Sequence, residues 1–199
     1  MRTINPMFGR RYSAIELRDI AVSVLVLSVA FTIALRRWNE LGLLSLFALS
    51  AMIVCTSFVM HELAHKYVAQ RYGAWAEYRM FPTGLIIALV LSMSGFLFAA
   101  PGAVYISGHI NREMNGRISA AGPAVNIIIG GAAAMFAYVT TGMLSSVLWI
   151  MAMINAFFAV FNLIPIKPFD GSKICRWNIP VYGAMMAAAV CLLLTAWFR

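Results

Sequence analysis

The stretch Leu41-Gly42-Leu43-Leu44-Ser45-Leu46-Phe47-Ala48-Leu49-Ser50-Ala51-Met52-Ile53-Val54-Cys55-Thr56-Ser57-Phe58-Val59-Met60 carries no charge and runs straight into His61-Glu62-Leu63-Ala64-His65. An apolar run of about 20 residues is long enough to cross the core of a bilayer as a helix. Continued through the motif, that helix puts His61 and His65 one turn apart on one face, so both imidazoles can reach a single zinc ion. Glu62 falls about 100° round the helix from His61, where its carboxylate addresses a water beside the metal rather than the metal itself. An ionisable side chain in or against a span costs roughly 2.5–3.5 kcal/mol on insertion scales, so three together mark a site.

Composition points the same way. The chain is 62% hydrophobic and 11% charged, which excludes an ordinary soluble domain and predicts a core built from spanning helices. Its length suits one domain, expected to occupy 1–199. The net charge of +8 would suit nucleic acid, but the basic residues cluster beside apolar runs. Loop topology at a lipid bilayer accounts for them, and no nucleic-acid partner is expected. Cys55, Cys175 and Cys191 give no paired framework; Cys55 and Cys191, inside apolar runs, are expected as small core residues. The arginine-rich segment 1–19 lacks the apolar stretch of a cleavable signal peptide.

Five apolar runs, 20–35, 41–60, 118–141, 144–166 and 180–198, are long enough to span or nearly so. The expected fold is an all-α polytopic membrane protein. Its core helices cover about 41–72, 118–141 and 144–166, and its outer helices about 20–35 and 180–198. Between the second and third runs, 80–108 is uncharged but broken by Pro82, Gly84, Gly95, Pro101, Gly102 and Gly108, too punctuated for one straight helix. Within it, Gly102-Ala103-Val104-Tyr105-Ile106-Ser107 reads as a short strand. Arg2, Arg10, Arg11, Arg18, Lys66, Arg71, Arg79, Arg112, Arg117, Lys167, Lys173 and Arg176 fall on one side of these spans, against Arg36, Arg37 and Arg199 on the other. The N-terminus and the His61 end of the second span are therefore expected to be cytoplasmic, and 80–108 must cross an even number of times, as a re-entrant loop or tight hairpin.

A catalytic zinc usually has three protein ligands and an open position. The remaining acids are Glu16, Asp19, Glu40, Glu77, Glu113 and Asp170, and the remaining histidine is His109. Glu16, Asp19, Glu77 and Glu113 lie in polar, basic-flanked stretches and are expected to be solvated, as is His109; Glu40 falls at the far end of the second span. Asp170 differs, because it ends the run Asn162-Leu163-Ile164-Pro165-Ile166-Lys167-Pro168-Phe169-Asp170-Gly171 on the same side as His61. The prolines stop the fourth helix and Asp-Gly favours a tight turn, which would hold the carboxylate at membrane depth. One Zn2+ on His61, His65 and Asp170 carries a single net positive charge, which an ionised Glu62 balances in a low-dielectric site.

A small-residue surface and three asparagines also stand out. Gly122, Gly130 and Gly131 with Ala132–134 make the third span's surface small enough for close helix packing. Asn126 lies on the Gly122 face and either bonds across helices or reaches the catalytic helix. Asn162, two turns before Asp170, must find partners for a buried amide, whereas Asn155 reads as packing glue.

Three segments together, His61 to His65, Ala121-Gly122-Pro123-Ala124-Val125-Asn126, and Asn162 to Gly171, closely resemble the site-2 protease family of intramembrane metalloproteases, in the family's order. The resemblance implies a zinc endopeptidase that cuts transmembrane helices of other proteins within the bilayer. It implies His61, His65 and Asp170 as ligands, Glu62 as catalytic base and Asn162 as a polar catalytic-site residue. In the family a short edge strand receives unwound substrate, which makes Gly102, Val104, Tyr105 and, beside them, Asn126 candidate substrate contacts; a purely structural hairpin is the alternative. Ser172-Lys173 departs from the glycine and arginine that often follow Asp-Gly, and a form without the PDZ or CBS modules of many relatives is expected. The first and last spans carry no candidate site residue and are the expected movable walls for lateral substrate access. Rival readings are a membrane metal transporter, a non-catalytic binder of membrane helices, and a CaaX-type peptidase with a Glu as third ligand.

Overall fold

The computed structural model describes residues 12–36, 42–95 and 100–199. Arg2, Arg10, Arg11, Arg37, Glu40, Leu41 and positions 96–99, on which parts of the reading above rest, lie outside the described residues. The chain is an all-α polytopic membrane protein with one small sheet: α1 (Ala14–Leu35), α2 (Leu43–Val54), a π turn (Cys55–Val59), α3 (Met60–Arg71), β1 (Trp75–Met80), α4 (Pro82–Ser92), β2 (Gly102–Ser107), α5 (Arg112–Val139), α6 (Gly142–Asn162), α7 (Asp170–Trp177) and α8 (Ile179–Trp197). Among the described residues, five helices are long and apolar enough to cross a membrane: α1, the continuous rod Leu43–Arg71, α5, α6 and α8.

Local chemistry sets the helix ends. α1 begins six residues ahead of its apolar run because Ser13 caps it, its Oγ accepting from the Glu16 amide at 3.1 Å. Asn111 and Asn178 cap α5 and α8 in the same way, through bonds from the Met114 and Val181 amides. The second rod does not stop at Met60, since nothing in Met60–Arg71 breaks a helix, and it carries the motif into the interior. Its π turn widens the backbone one turn before His61, a placement typical of functional sites.

Between the second and third spans, β1 and β2 pair antiparallel, with Tyr78 opposite Val104 and Met80 opposite Gly102. The strand read from 102–107 is thus present, and its partner lies before the punctuated stretch rather than within it. Tyr78 and Val104 form a non-hydrogen-bonded pair, because both amides point outward: Tyr78 N–H to Glu16 Oε1 (3.0 Å) and Val104 N–H to Glu62 Oε2 (3.1 Å). The Met80 amide likewise reaches Asp19 Oδ2 (3.3 Å), so α1 closes the outer edge of β1.

These contacts overturn three expectations. Glu16 and Asp19 are buried rather than solvated, at 0% and 3% exposure, because the β1 edge needs acceptors and lies against α1. Lys66, counted with the loop cations, is buried in α3, where its Nζ pairs with Glu16 Oε2 and stands 4.0 Å over the Tyr12 ring. Cys55 and Cys191 are exposed on helix surfaces rather than packed in the core.

The main core joins Leu27 and Phe31 of α1 to Leu46, Ile53 and Phe58 of the second rod and to Tyr78 under the hairpin. Burial pushes the Tyr78 phenol up from its ordinary value, and its hydroxyl is satisfied by Ser23 Oγ (2.8 Å) and the Pro101 carbonyl (3.0 Å). A second cluster of alanines, Ala133, Ala134, Ala152 and Ala196, brings α5, α6 and α8 close together, as the small-residue surface predicted.

Candidate active site

His61 and His65 emerge from α3 toward α5, and each has its outer ring nitrogen already engaged. His65 Nδ1 lies 2.7 Å from the Ile118 carbonyl, which can only accept, so Nδ1 carries the proton. His61 Nδ1 lies 2.6 Å from Asn126 Oδ1. The Asn126 amide cannot be turned round, because its Nδ2 donates to the Ser57 carbonyl (2.8 Å) in the π turn and to Asn155 Oδ1 (2.9 Å). Asn155 in turn donates to the Met151 carbonyl (3.0 Å). A chain of amides from α6 through α5 therefore fixes the tautomer of His61 and leaves both Nε2 lone pairs facing inward.

Asp170 arrives from the other side. The turn after α6 ends at Phe169, and Asp170 opens α7 as a buried residue. Gly171 permits this, since a Cβ there would fall on the Leu163 carbonyl and lie 2.8 Å from that of Ile164. Asp170 Oδ2 lies 3.0 Å from His65 Nε2 and 3.4 Å from His61 Nε2, and the two Nε2 atoms are 3.0 Å apart. Lys173 Nζ holds the other oxygen, Oδ1, at 3.2 Å.

The donor set fits a small divalent metal. Two neutral Nε2 lone pairs and a carboxylate oxygen converge on one point, an arrangement that repels itself without a cation among them. Their separations of 3.0–3.4 Å match the roughly 3.4 Å edge of a tetrahedron with bonds of about 2.1 Å, the length zinc takes with N and O ligands. His61, His65 and Asp170 are the three candidate ligands that the structure brings together.

Glu62 stands apart from the three, half-buried, with its carboxylate against the outward amide of Val104. By strand alternation Gly102 and Val104 direct backbone groups to this free edge, whereas Tyr105 turns its backbone to β1 and offers an exposed ring, 62% accessible. Asn126, grouped with the substrate contacts, is fully buried behind His61 and faces no open surface. Asn162 is not joined to the cluster: its amide donates to the Phe158 carbonyl one turn back in α6 (3.0 Å). His109 is exposed, as expected.

Two contributors escaped sequence reading. Gly122, taken as a packing residue, faces the metal-binding point, since a Cβ there would lie 2.6 Å from His61 Nε2 and closer still to His65 Nε2. Asn155, taken as packing glue, is the anchor of the amide chain. The spacing Gly122, Asn126 on one helical face was the available signal for the first, and nothing local marked the second.

Comparison with known proteins gives the family. The model of peptidase family M50 matches residues 137–186, which include Asp170. The chain is 36% identical to the candidate "zinc metalloprotease MJ0611" of Methanocaldococcus jannaschii over 190 residues, 88% of this chain and 95% of that protein. The chain belongs to peptidase family M50. The site-2 protease resemblance of its motifs is thereby its family. It is also 31% identical to the candidate "zinc metalloprotease YwhC" of Bacillus subtilis over 161 residues, 69% of this chain and 72% of that protein. "Zinc metalloprotease MJ0392" of M. jannaschii is 30% identical over 127 residues, 63% of this chain but only 32% of that longer protein. No solved structure matches the chain.

Proposed function

We propose that the protein is an intramembrane zinc endopeptidase that hydrolyses peptide bonds within transmembrane segments of other membrane proteins. The observation that carries this reading is the convergence of His61 Nε2, His65 Nε2 and Asp170 Oδ2 on one point, with Glu62 on the same helix as the two histidines, a helix long enough to span. M50 membership and the zinc metalloprotease names of the relatives support it. Zinc, when bound by these three side chains, supplies a Lewis acid that polarises a carbonyl and acidifies water.

The chain's own residues do the rest. A substrate helix must unwind locally, because its peptide groups are otherwise engaged in i to i−4 bonds. The free edge of β2 offers Gly102 and Val104 backbone groups to such an extended segment, which adds as a strand. Pairing at Val104 takes over the amide that Glu62 now holds, and frees the carboxylate to accept a proton from water and deliver it to the leaving amine. Asn126 keeps the His61 lone pair directed at the metal throughout. α8, the least buried of the five spans, is the movable wall for substrate access, while α1 is held to the hairpin and α3 by Glu16 and Asp19. The positive-inside bias supports a cytoplasmic N-terminus, with the site toward that face.

The test compares purified wild type with Glu62→Gln, measuring bound zinc and cleavage of a model transmembrane substrate. The amide keeps shape without a basic oxygen, so one zinc per chain with no cleavage is expected. Full activity in Glu62→Gln refutes the mechanism, and zinc transport into proteoliposomes without cleavage refutes the function.

A further inference from the structure

Beside the three-ligand cluster, the α5 N-terminus and α7 flank an open cavity of about 540 Å³, lined by Ile110, Asn111, Arg112, Asn115, Lys173 and Arg176. That volume lies within the range of roughly 300–1,000 Å³ typical of small-ligand clefts. The lining is cationic and contains no carboxylate. Of the acids on α5 and α7, Glu113 pairs with Arg117 (2.8 Å) and Asp170 Oδ1 with Lys173 (3.2 Å). Arg112 donates to the Arg176 carbonyl, which anchors one guanidinium at the rim and leaves that of Arg176 without a protein partner among the described residues.

Position in the fold selects the ligand. The cavity sits where α5 and α8 both begin, and both are long enough to span, so it lies at the level where bilayer headgroups stand. Trp177, beside it, is an aromatic of the kind that favours this interface, with Arg117 stacked 5.5 Å over its ring. From the same rim runs the most lipid-accessible span, α8, with Ile179 69% exposed at its start, a surface along which acyl chains can lie. Basic pockets between spans are the usual seat of anionic headgroups. A zwitterionic headgroup brings its own ammonium beside the Arg112 and Arg176 guanidinium groups, neither of which is paired with a carboxylate among the described residues, and so is disfavoured.

We propose that this cavity binds the phosphate headgroup of an anionic phospholipid. One consequence rests on the metal reading above: Lys173 lines the cavity and also holds the free oxygen of Asp170, so an occupied cavity competes with a candidate metal ligand for the same ammonium.

The experiment uses the whole purified protein in phosphatidylcholine nanodiscs doped with phosphatidylglycerol, with retained lipid counted by native mass spectrometry after release into detergent. Wild type is expected to retain one phosphatidylglycerol. Arg112→Gln/Arg176→Gln, which touches no candidate metal ligand, is expected to bind it roughly thirtyfold more weakly, the effect of two interfacial cations. Arg18→Gln/Arg71→Gln removes equal charge elsewhere and is expected to bind as wild type. Equal loss in both double variants overturns the site in favour of general charge attraction. Displacement of the lipid by millimolar inorganic phosphate overturns the lipid in favour of the free anion. Lipid retention is read without measuring cleavage or zinc, so failure of this site and failure of the proposed function are told apart.

Discussion

A single methyl group at Gly122 should abolish metal binding without unfolding the protein. A Cβ there would lie 2.6 Å from both Nε2 and Cε1 of His61, and closer to His65 Nε2, whereas ordinary contacts begin near 3.4 Å. Relief requires α5 and α3 to part, or both rings to turn, by nearly an ångström. Metal sites tolerate ligand displacements of about 0.2 Å, so the shift exceeds tolerance several-fold. The opposing effect is helix propensity, which favours Ala over Gly by about 1 kcal/mol in a helix interior, so α5 itself should persist. Gly122→Ala is therefore expected to keep wild-type far-ultraviolet circular dichroism while losing at least about a hundredfold in zinc affinity, about 2.8 kcal/mol. Competition with a chromophoric chelator in detergent measures this directly. An Ala variant that binds zinc within threefold of wild type refutes the placement of the metal against α5.

The remaining expectations concern the same scaffold. Asn126→Ala removes the group that fixes the His61 tautomer and should lower zinc affinity 10- to 100-fold, read by the same titration. Asp170→Asn should leave only two strong donors, so metal analysis after dialysis should find well under one zinc per chain. Lys66→Met strands the buried Glu16 carboxylate and should cost about 3–5 kcal/mol in thermal or denaturant unfolding; Glu16→Gln/Lys66→Met should recover most of it, and no recovery would refute the pairing.

The sequence was most legible where a physical period met an unusual residue. Apolar length gave the spans, a four-residue histidine spacing gave the two imidazoles, and a carboxylate stranded at the end of an apolar run gave Asp170. The strand at 102–107 was legible from its β-branched and aromatic content between glycines. What could not be read were pairings made across long separations. Glu16 and Lys66 look like solvated charges in their local windows, and only the fold brings them 50 positions across the chain into contact. Asn155 reads identically whether it glues two helices or anchors a histidine's partner 29 residues away. Asn162 is the converse case: a motif position that suggested the site, while the amide bonds to its own helix.

The closure of the β1 edge by α1 carries a consequence for biogenesis. Glu16 and Asp19 accept from amides of residues 78 and 80, which leave the ribosome some 60 positions later. Lys66, the partner of Glu16, also lies far downstream. Until those segments emerge, Glu16 lacks both its partners and Asp19 has only the neighbouring Arg18 (2.8 Å), so the start of α1 is expected to reach its final packing only when the hairpin is made. The N-terminal helix is the first to be synthesised, yet its start is completed only by residues of the second span and the hairpin.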